Sequence, residues 1–175
     1  MSATKVHWSG ASALRDKVAL VRCHEWVIGI EARYVRQVGF ADLLADSELE
    51  SDSEFPGHLG RGMIGGAPCS YWDLGMQIGV APMDRAIIVV ERPGGVVALR
   101  CGEILAVEAI PENRRRHLPS ELAPARPGLI KSALLLASST EERLNLGWLL
   151  RSAAIFNRQE ILQVRSDWAG MRSQV

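Results

Sequence analysis

The stretch GRGMIGG, residues 60–66, holds a literal G-x-G-x-x-G in Gly60, Gly62 and Gly65. A dinucleotide loop needs a strand running directly into the glycines and a helix leaving them, so that the helix N-terminus meets the phosphate. Here the glycines follow an acidic, serine-rich stretch closed by Pro-Gly, ADSELESDSEFPGH (45–58), which composition marks as a solvated loop. Behind them comes APCSYWDLG, with Pro68 close by and β-type residues next. No helix start is available to hold a phosphate. The nucleotide reading fails, and the glycines must serve the backbone instead.

Working outward, the chain reads as mostly strand. VALVRC (18–23) and WVIGI (26–30) are β-rich runs separated only by His24–Glu25, a hairpin pattern, and YVRQVGF (34–40) follows after a short turn. AIIVVE (86–91) and VVALRC (96–101) flank RPGG, where Pro93–Gly94 suits the centre of a type II turn. EILAVEAI (103–110) continues as a strand that Pro111 ends. Residues 111–129 are loop-like, interrupted by four prolines. SALLLAS (132–138) and RLNLGWLL (143–150) pair around the turn STEE, and their unbroken apolar character predicts strands buried on both faces. In the tail, Asn157 and Glu160 form a capping-box pattern, predicting a helix from Arg158 with Ile161, Leu162, Arg165 and Trp168 on one face.

Hydrophobic residues make up 47% and charged residues 23% of the 175, enough to bury a sizeable core. Lys+Arg and Asp+Glu are equal at 20 each, which argues against nucleic acid as the main partner. No apolar run is long enough to span a bilayer and the first residues lack a signal-peptide layout, so the expectation is a cytoplasmic protein without membrane insertion. Cys23, Cys69 and Cys101 are odd in number and widely spaced, which predicts reduced, buried thiols and neither a disulfide framework nor a zinc site.

Extended to GRGMIGGAPCSYWDLG (60–75), the glycine stretch resembles the central signature of CheW-like coupling domains of bacterial chemosensory systems, roughly G-x-x-N-L-R-G-x-x-x-P-x-x-D-L. Gly60, Gly66, Asp73 and Leu74 match, with Ile64 standing in for leucine. ALVRCHEWVIGIEARYVRQV (19–38) is similar to the family's opening, through Gly29, Ile30, Val35 and Val38. AIIVVERPGGVVALRCGEILAV (86–107) is similar to its second-half hairpin. The order and spacing of the blocks agree from about residue 16 to about 152.

The resemblance implies an all-β fold of two intertwined, five-stranded, SH3-like barrel subdomains over residues 16–152. An N-terminal extension (1–15) precedes them and a C-terminal helical tail (153–175) follows. It also implies a non-enzymatic adaptor associated with a receptor array, without cofactor or metal. Its partners would be the cytoplasmic tip of a methyl-accepting chemoreceptor, the regulatory domain of a CheA-type histidine kinase and other CheW-like proteins. The partner-binding positions carried over are Val35, Gln37, Gly60, Met63, Gly65 and Gly66.

The departures fall on polar positions. The signature's Asn-Leu-Arg-Gly block is Met63–Ile64–Gly65–Gly66, its proline is Ser70, the glutamate of V-x-E-V is Gln37, and the aspartate of the second-half hairpin is Gly102. A lost interface arginine typically costs about 2 kcal/mol, so these departures imply weakened or lost kinase coupling, with an arginine restored at position 65 expected to strengthen binding. Two alternatives stand beside this: an ordinary coupling protein compensated elsewhere, and, from a different class, a small-molecule-binding or enzymatic barrel.

Other constellations are weaker. Cys23 and His24 are consecutive on a strand and diverge, which removes a thiol–imidazole pair. NRRRH (113–117) reads as a solvated basic loop, with an acidic partner surface as its alternative. Trp72, Trp148 and Trp168 read as core or docking anchors. Because Tyr71 and Trp72 are adjacent, only one is expected to face inward.

Overall fold

The computed structural model describes residues 14–40, 57–92, 95–117, 130–136 and 146–150. Six sequence readings fall outside them: the N-terminal extension up to residue 13, the acidic stretch up to residue 56, the turn at 93–94, the proline-rich segment after residue 117, the STEE turn and the C-terminal helix. So do the side chains of Trp148 and Trp168.

Eleven strands and one helical turn make up the described chain. Strands β1 (Lys17–Cys23) and β2 (Trp26–Glu31) form the expected hairpin, with Cys23 opposite Trp26 and His24 at φ 55° in the two-residue loop. A 3-10 turn, Ala32–Tyr34, carries the chain into β3 (Val35–Phe40). Strands β4 (His58–Ile64) and β5 (Ala67–Asp73) follow, then the single helical turn α1 (Leu74–Gln77). Next come β6 (Ala86–Arg92), β7 (Gly95–Cys101) and β8 (Glu103–Ala109). A 3-10 turn (Glu112–Arg114) leads to β9 (Arg115–Arg116), and β10 (Ile130–Leu135) and β11 (Leu146–Leu150) complete the set.

The strands divide into a six-stranded sheet, β8-β1-β2-β11-β10-β9, and a five-stranded sheet, β3-β6-β7-β5-β4. The fold is all-β, as expected, with six and five strands instead of five each and, among the described residues, no pairing that closes either sheet into a barrel. The six-stranded sheet takes strands from both ends of the described chain while the other is contiguous, so the two are intertwined. Two pairings are parallel, β11 with β2 and β5 with β7.

Both sheets curl. Flat, six strands at ~4.8 Å spacing would put β8 and β9 about 24 Å apart. The chain between them is five residues containing a 3-10 turn, which reaches only roughly 16 Å. The edges must therefore approach, and Ile110 on this link is fully buried.

Curling gives each sheet an inside of its own besides the face it shares with the other. Val18 and Leu20 of β1 point into a cluster made wholly by the six-stranded sheet, with Ile110, Leu134 and Leu149. Ala19, Val21 and Cys23, the alternating residues, join the core shared with Val35, Trp72, Ile88, Val90 and Leu99 of the other sheet. In β6, Ile87 and Val89 fill the five-stranded sheet's own interior while Ile88 and Val90 face the shared core. This is why AIIVV and VALV are apolar at every residue instead of every second one. Each such aliphatic side chain contributes roughly 1.5–3 kcal/mol by burial.

The same geometry corrects the reading of Tyr71 and Trp72. Both are 1% exposed. Tyr71 enters the five-stranded sheet's interior, its hydroxyl donating to the Met63 carbonyl at 3.3 Å, and Trp72 enters the shared core. Neither presents an aromatic to solvent, because β5 has an apolar layer on each side.

Two further readings change. His58 starts β4 and is buried, so the solvated segment ends before it. The basic cluster is structured: Arg114 Nε donates to the Leu135 carbonyl at 2.8 Å, and Arg115 Nε to the Ile110 carbonyl at 3.0 Å. Two guanidiniums fasten the link between β8 and β10 instead of waving in solvent.

Candidate functional site

The glycine stretch is an edge hairpin. Ile64 pairs with Ala67, leaving Gly65–Gly66 as a two-residue loop with φ of 55° and 79°. Positive φ at both central residues defines a type I′ turn, whose twist matches the flanking strands and which glycine enters without steric cost. Further down β4 the register shifts between His58 and Gly60, and Gly60 takes φ 136°. The G-x-G-x-x-G pattern is thus one bulge and one turn. No phosphate-binding geometry is involved.

The hairpin's two faces differ. Leu59, Ile64 and Ala67 pack on the five-stranded sheet's interior, whereas Arg61, Met63 and Pro68 are exposed. Met63, 59% exposed, lies opposite Pro68, so the tip carries a small apolar patch beside a cation. Strand β4 is an edge of its sheet, and so is β3. Both carry a register shift, the feature by which exposed edges avoid indiscriminate strand pairing.

Of the six carried-over positions, the hairpin gathers Gly60, Met63, Gly65 and Gly66. Val35 and Gln37 lie on β3, at the other edge: Val35 is 8% exposed and packs in the shared core, and Gln37 is half-buried. The two groups meet through a residue that sequence reasoning missed, Arg36. A Cβ built on Gly65 would lie 3.6 Å from Arg36 Nη2. Nothing in the local sequence marks Arg36, because its direction is set by the register shift between Val35 and Gln37.

The base of the hairpin is held by buried polar groups. Trp72 Nε1 donates to Ser70 Oγ at 2.8 Å, and Ser70 Oγ lies 3.2 Å from His58 Nε2. Ser70, at the signature's proline position, therefore satisfies a buried indole. Burial lowers the His58 pKa, and the Arg61 charge lowers it further against an opposing hydrogen bond to the Gly60 backbone.

The folded state thus binds fewer protons at His58 than the unfolded state once the pH falls below the usual 6.5. Stability is full above that pH and is lost progressively as the pH drops toward the lowered value. Urea midpoints measured at pH 7.5, 6.5 and 5.5 should fall most over the last interval. The drop should be smaller in His58→Gln, and an equal drop in that variant would place the acid sensitivity elsewhere.

The three cysteines are free and buried. Burial pushes the thiols of Cys23 and Cys69 up to about 11 and that of Cys101 to about 12. Cys23 is buried at the end of β1 while His24 sits exposed in the turn at φ 55°, so the two diverge through the turn and not by the alternation along a strand expected from sequence. Among the described residues, no group of three or more His, Cys, Asp or Glu is placed to hold a metal, and no helix is long and apolar enough to cross a membrane.

No protein-family model matches the chain, and none of the curated proteins does. Among solved structures, the chain is similar to the scaffolding protein TtCheW from Thermoanaerobacter tengcongensis. The TM-score is 0.61 at 18% identity, over 78% of this chain and 89% of that one. At that identity the likeness establishes the fold.

Proposed function

We propose that this chain is a non-enzymatic adaptor of a bacterial chemosensory array, docking on the cytoplasmic tip of chemoreceptors, with its coupling to a CheA-type kinase weakened. The observation that carries the reading is the hairpin at residues 58–73. Its spacing matches the signature, Gly60 and Asp73 are buried, Ile64 packs on the sheet's interior, and its exposed tip lacks the signature's asparagine and arginine. The fold of a scaffolding protein and buried, protonated thiols support the same reading.

Calorimetry against a chemoreceptor cytoplasmic-tip fragment and, separately, the kinase regulatory domain tests it. Binding to the receptor fragment, with kinase binding at least tenfold weaker, is the expected result. Comparable binding to both would make the chain an ordinary coupler. Binding to neither would leave the scaffold reading without support and move the weight to a small-molecule-binding barrel.

A further inference from the structure

The tip of the β4–β5 hairpin has no side chain at residue 65, yet it is not without a cation. The only neighbour a Cβ at Gly65 would meet within 4 Å among the described residues is the guanidinium of Arg36. Arg36 comes from the opposite edge of the sheet. The register shift there leaves it without a ladder partner, and such a shift re-aims a side chain that strict alternation would send elsewhere.

The guanidinium is held lightly. Its one ionic partner among the described residues is Glu91, with Nη1 to Oε2 at 3.6 Å. Glu91 is well solvated and Arg36 is 34% exposed. A single long contact to a solvated carboxylate uses little of a fork with five N–H donors. Arg61 adds a second positive charge on β4, and Met63 adds apolar surface two residues before the turn. A partner complementary to this tip presents a carboxylate next to an apolar side chain, the surface of an acidic amphipathic helix.

We propose that Arg36 is the cationic recognition group of the hairpin, delivered from β3 in place of a side chain on residue 65, and that it pairs with a carboxylate on the helical tip of the receptor. This rests on the adaptor reading above and deepens it. It also reverses the expectation from sequence: an arginine added at residue 65 meets a guanidinium already there and must adopt φ 55°, so it brings no gain.

The test is a set of titrations at low and moderate salt with the receptor-tip fragment and with the kinase regulatory domain. The proteins are the natural chain, Arg36→Gln, Gly65→Arg, the double variant and Glu91→Gln. Arg36→Gln should weaken receptor binding about tenfold or more, most at low salt. Gly65→Arg alone should not tighten it, the double variant should recover most of the loss, and Glu91→Gln should tighten binding a few-fold. Melting curves keep folding apart from binding, since all four variants change groups at least partly exposed or at the open tip.

Natural receptor affinity in an Arg36→Gln protein that melts normally overturns the inference while leaving the adaptor reading intact. A loss confined to the kinase domain overturns the receptor assignment. Failure of the natural chain to bind either probe removes both readings together.

Discussion

Gly102→Asp, which restores the aspartate of the related signature, is expected to destabilise the protein by about 3 kcal/mol or more, roughly 6–12 °C in melting temperature for a chain of this size. A Cβ at residue 102 would lie 2.6 Å from the Arg22 carbonyl oxygen and would also run into the Met83 methyl group. The methionine can swing aside. The carbonyl cannot, because it accepts the Gly102 N–H at 3.0 Å and so fixes the β7–β8 corner against β1. An added carboxylate would further place charge beside buried Cys101. Gly102→Ala separates the two causes and should retain a substantial part of the loss. A Gly102→Asp protein that melts with the natural one would show that the Arg22 carbonyl and the β7–β8 corner yield to a side chain.

The second large effect lies at Asp73, which is wholly buried. Its Oδ1 accepts from the Met76 N–H at 2.9 Å and caps the helical turn; its Oδ2 accepts from the Met83 N–H at 3.2 Å and from Arg100 Nε and Nη2, both at 3.0 Å. One carboxylate thereby ties β5, β7 and the segment after α1. Asp73→Ala strands two amides and a guanidinium and should cost about 3–5 kcal/mol, toward the lower end because Arg100 is partly hydrated. Arg100→Met in the same protein should restore part of that, since the orphaned charge disappears. Denaturant unfolding of the four corners of this cycle gives the coupling directly. A coupling near zero would mean that the ion pair is incidental to the fold.

What could be read beforehand follows from how locally each feature is determined. The hairpin at His24–Glu25 and the strands around residues 86–101 depend on a few neighbouring residues and were legible. So was the failure of the phosphate reading, since it required only the absence of a helix after Gly65. Tyr71 and Trp72 misled because alternation places two neighbours on opposite faces without saying that both faces are covered. The unbroken runs AIIVV and VALV held that information, and β5, paired with the equally apolar Val96–Leu99 run of β7, shares it.

Gly102 looked like a loss in the sequence and proved to be a necessity of packing, visible only once Arg22 lies beside it. The arginines at 114 and 115 looked like a solvated cluster because their acceptors, the carbonyls of Leu135 and Ile110, have no side-chain signature. Arg36 escaped for a different reason. One extra residue in an edge strand changes where a side chain points, and composition carries no trace of that.

The interleaving of the two sheets has a consequence for the order of assembly. Strands β3 to β7 are contiguous in the chain, so the five-stranded sheet can assemble from two sequential hairpins, β4–β5 and β6–β7, joined by the parallel β5–β7 crossover and the longer-range β3–β6 pairing. The other sheet cannot, because β11 lies in its middle, with Gly29 of β2 beside Leu149. Its halves meet only after everything between them has been threaded past, and closing that long a loop is entropically slow. The five-stranded sheet is therefore expected to form first and β11 to dock late. A chain interrupted before residue 146 would keep every strand of the five-stranded sheet yet have no seam to join β1–β2 to β10, leaving two bare strand edges open to a neighbouring molecule.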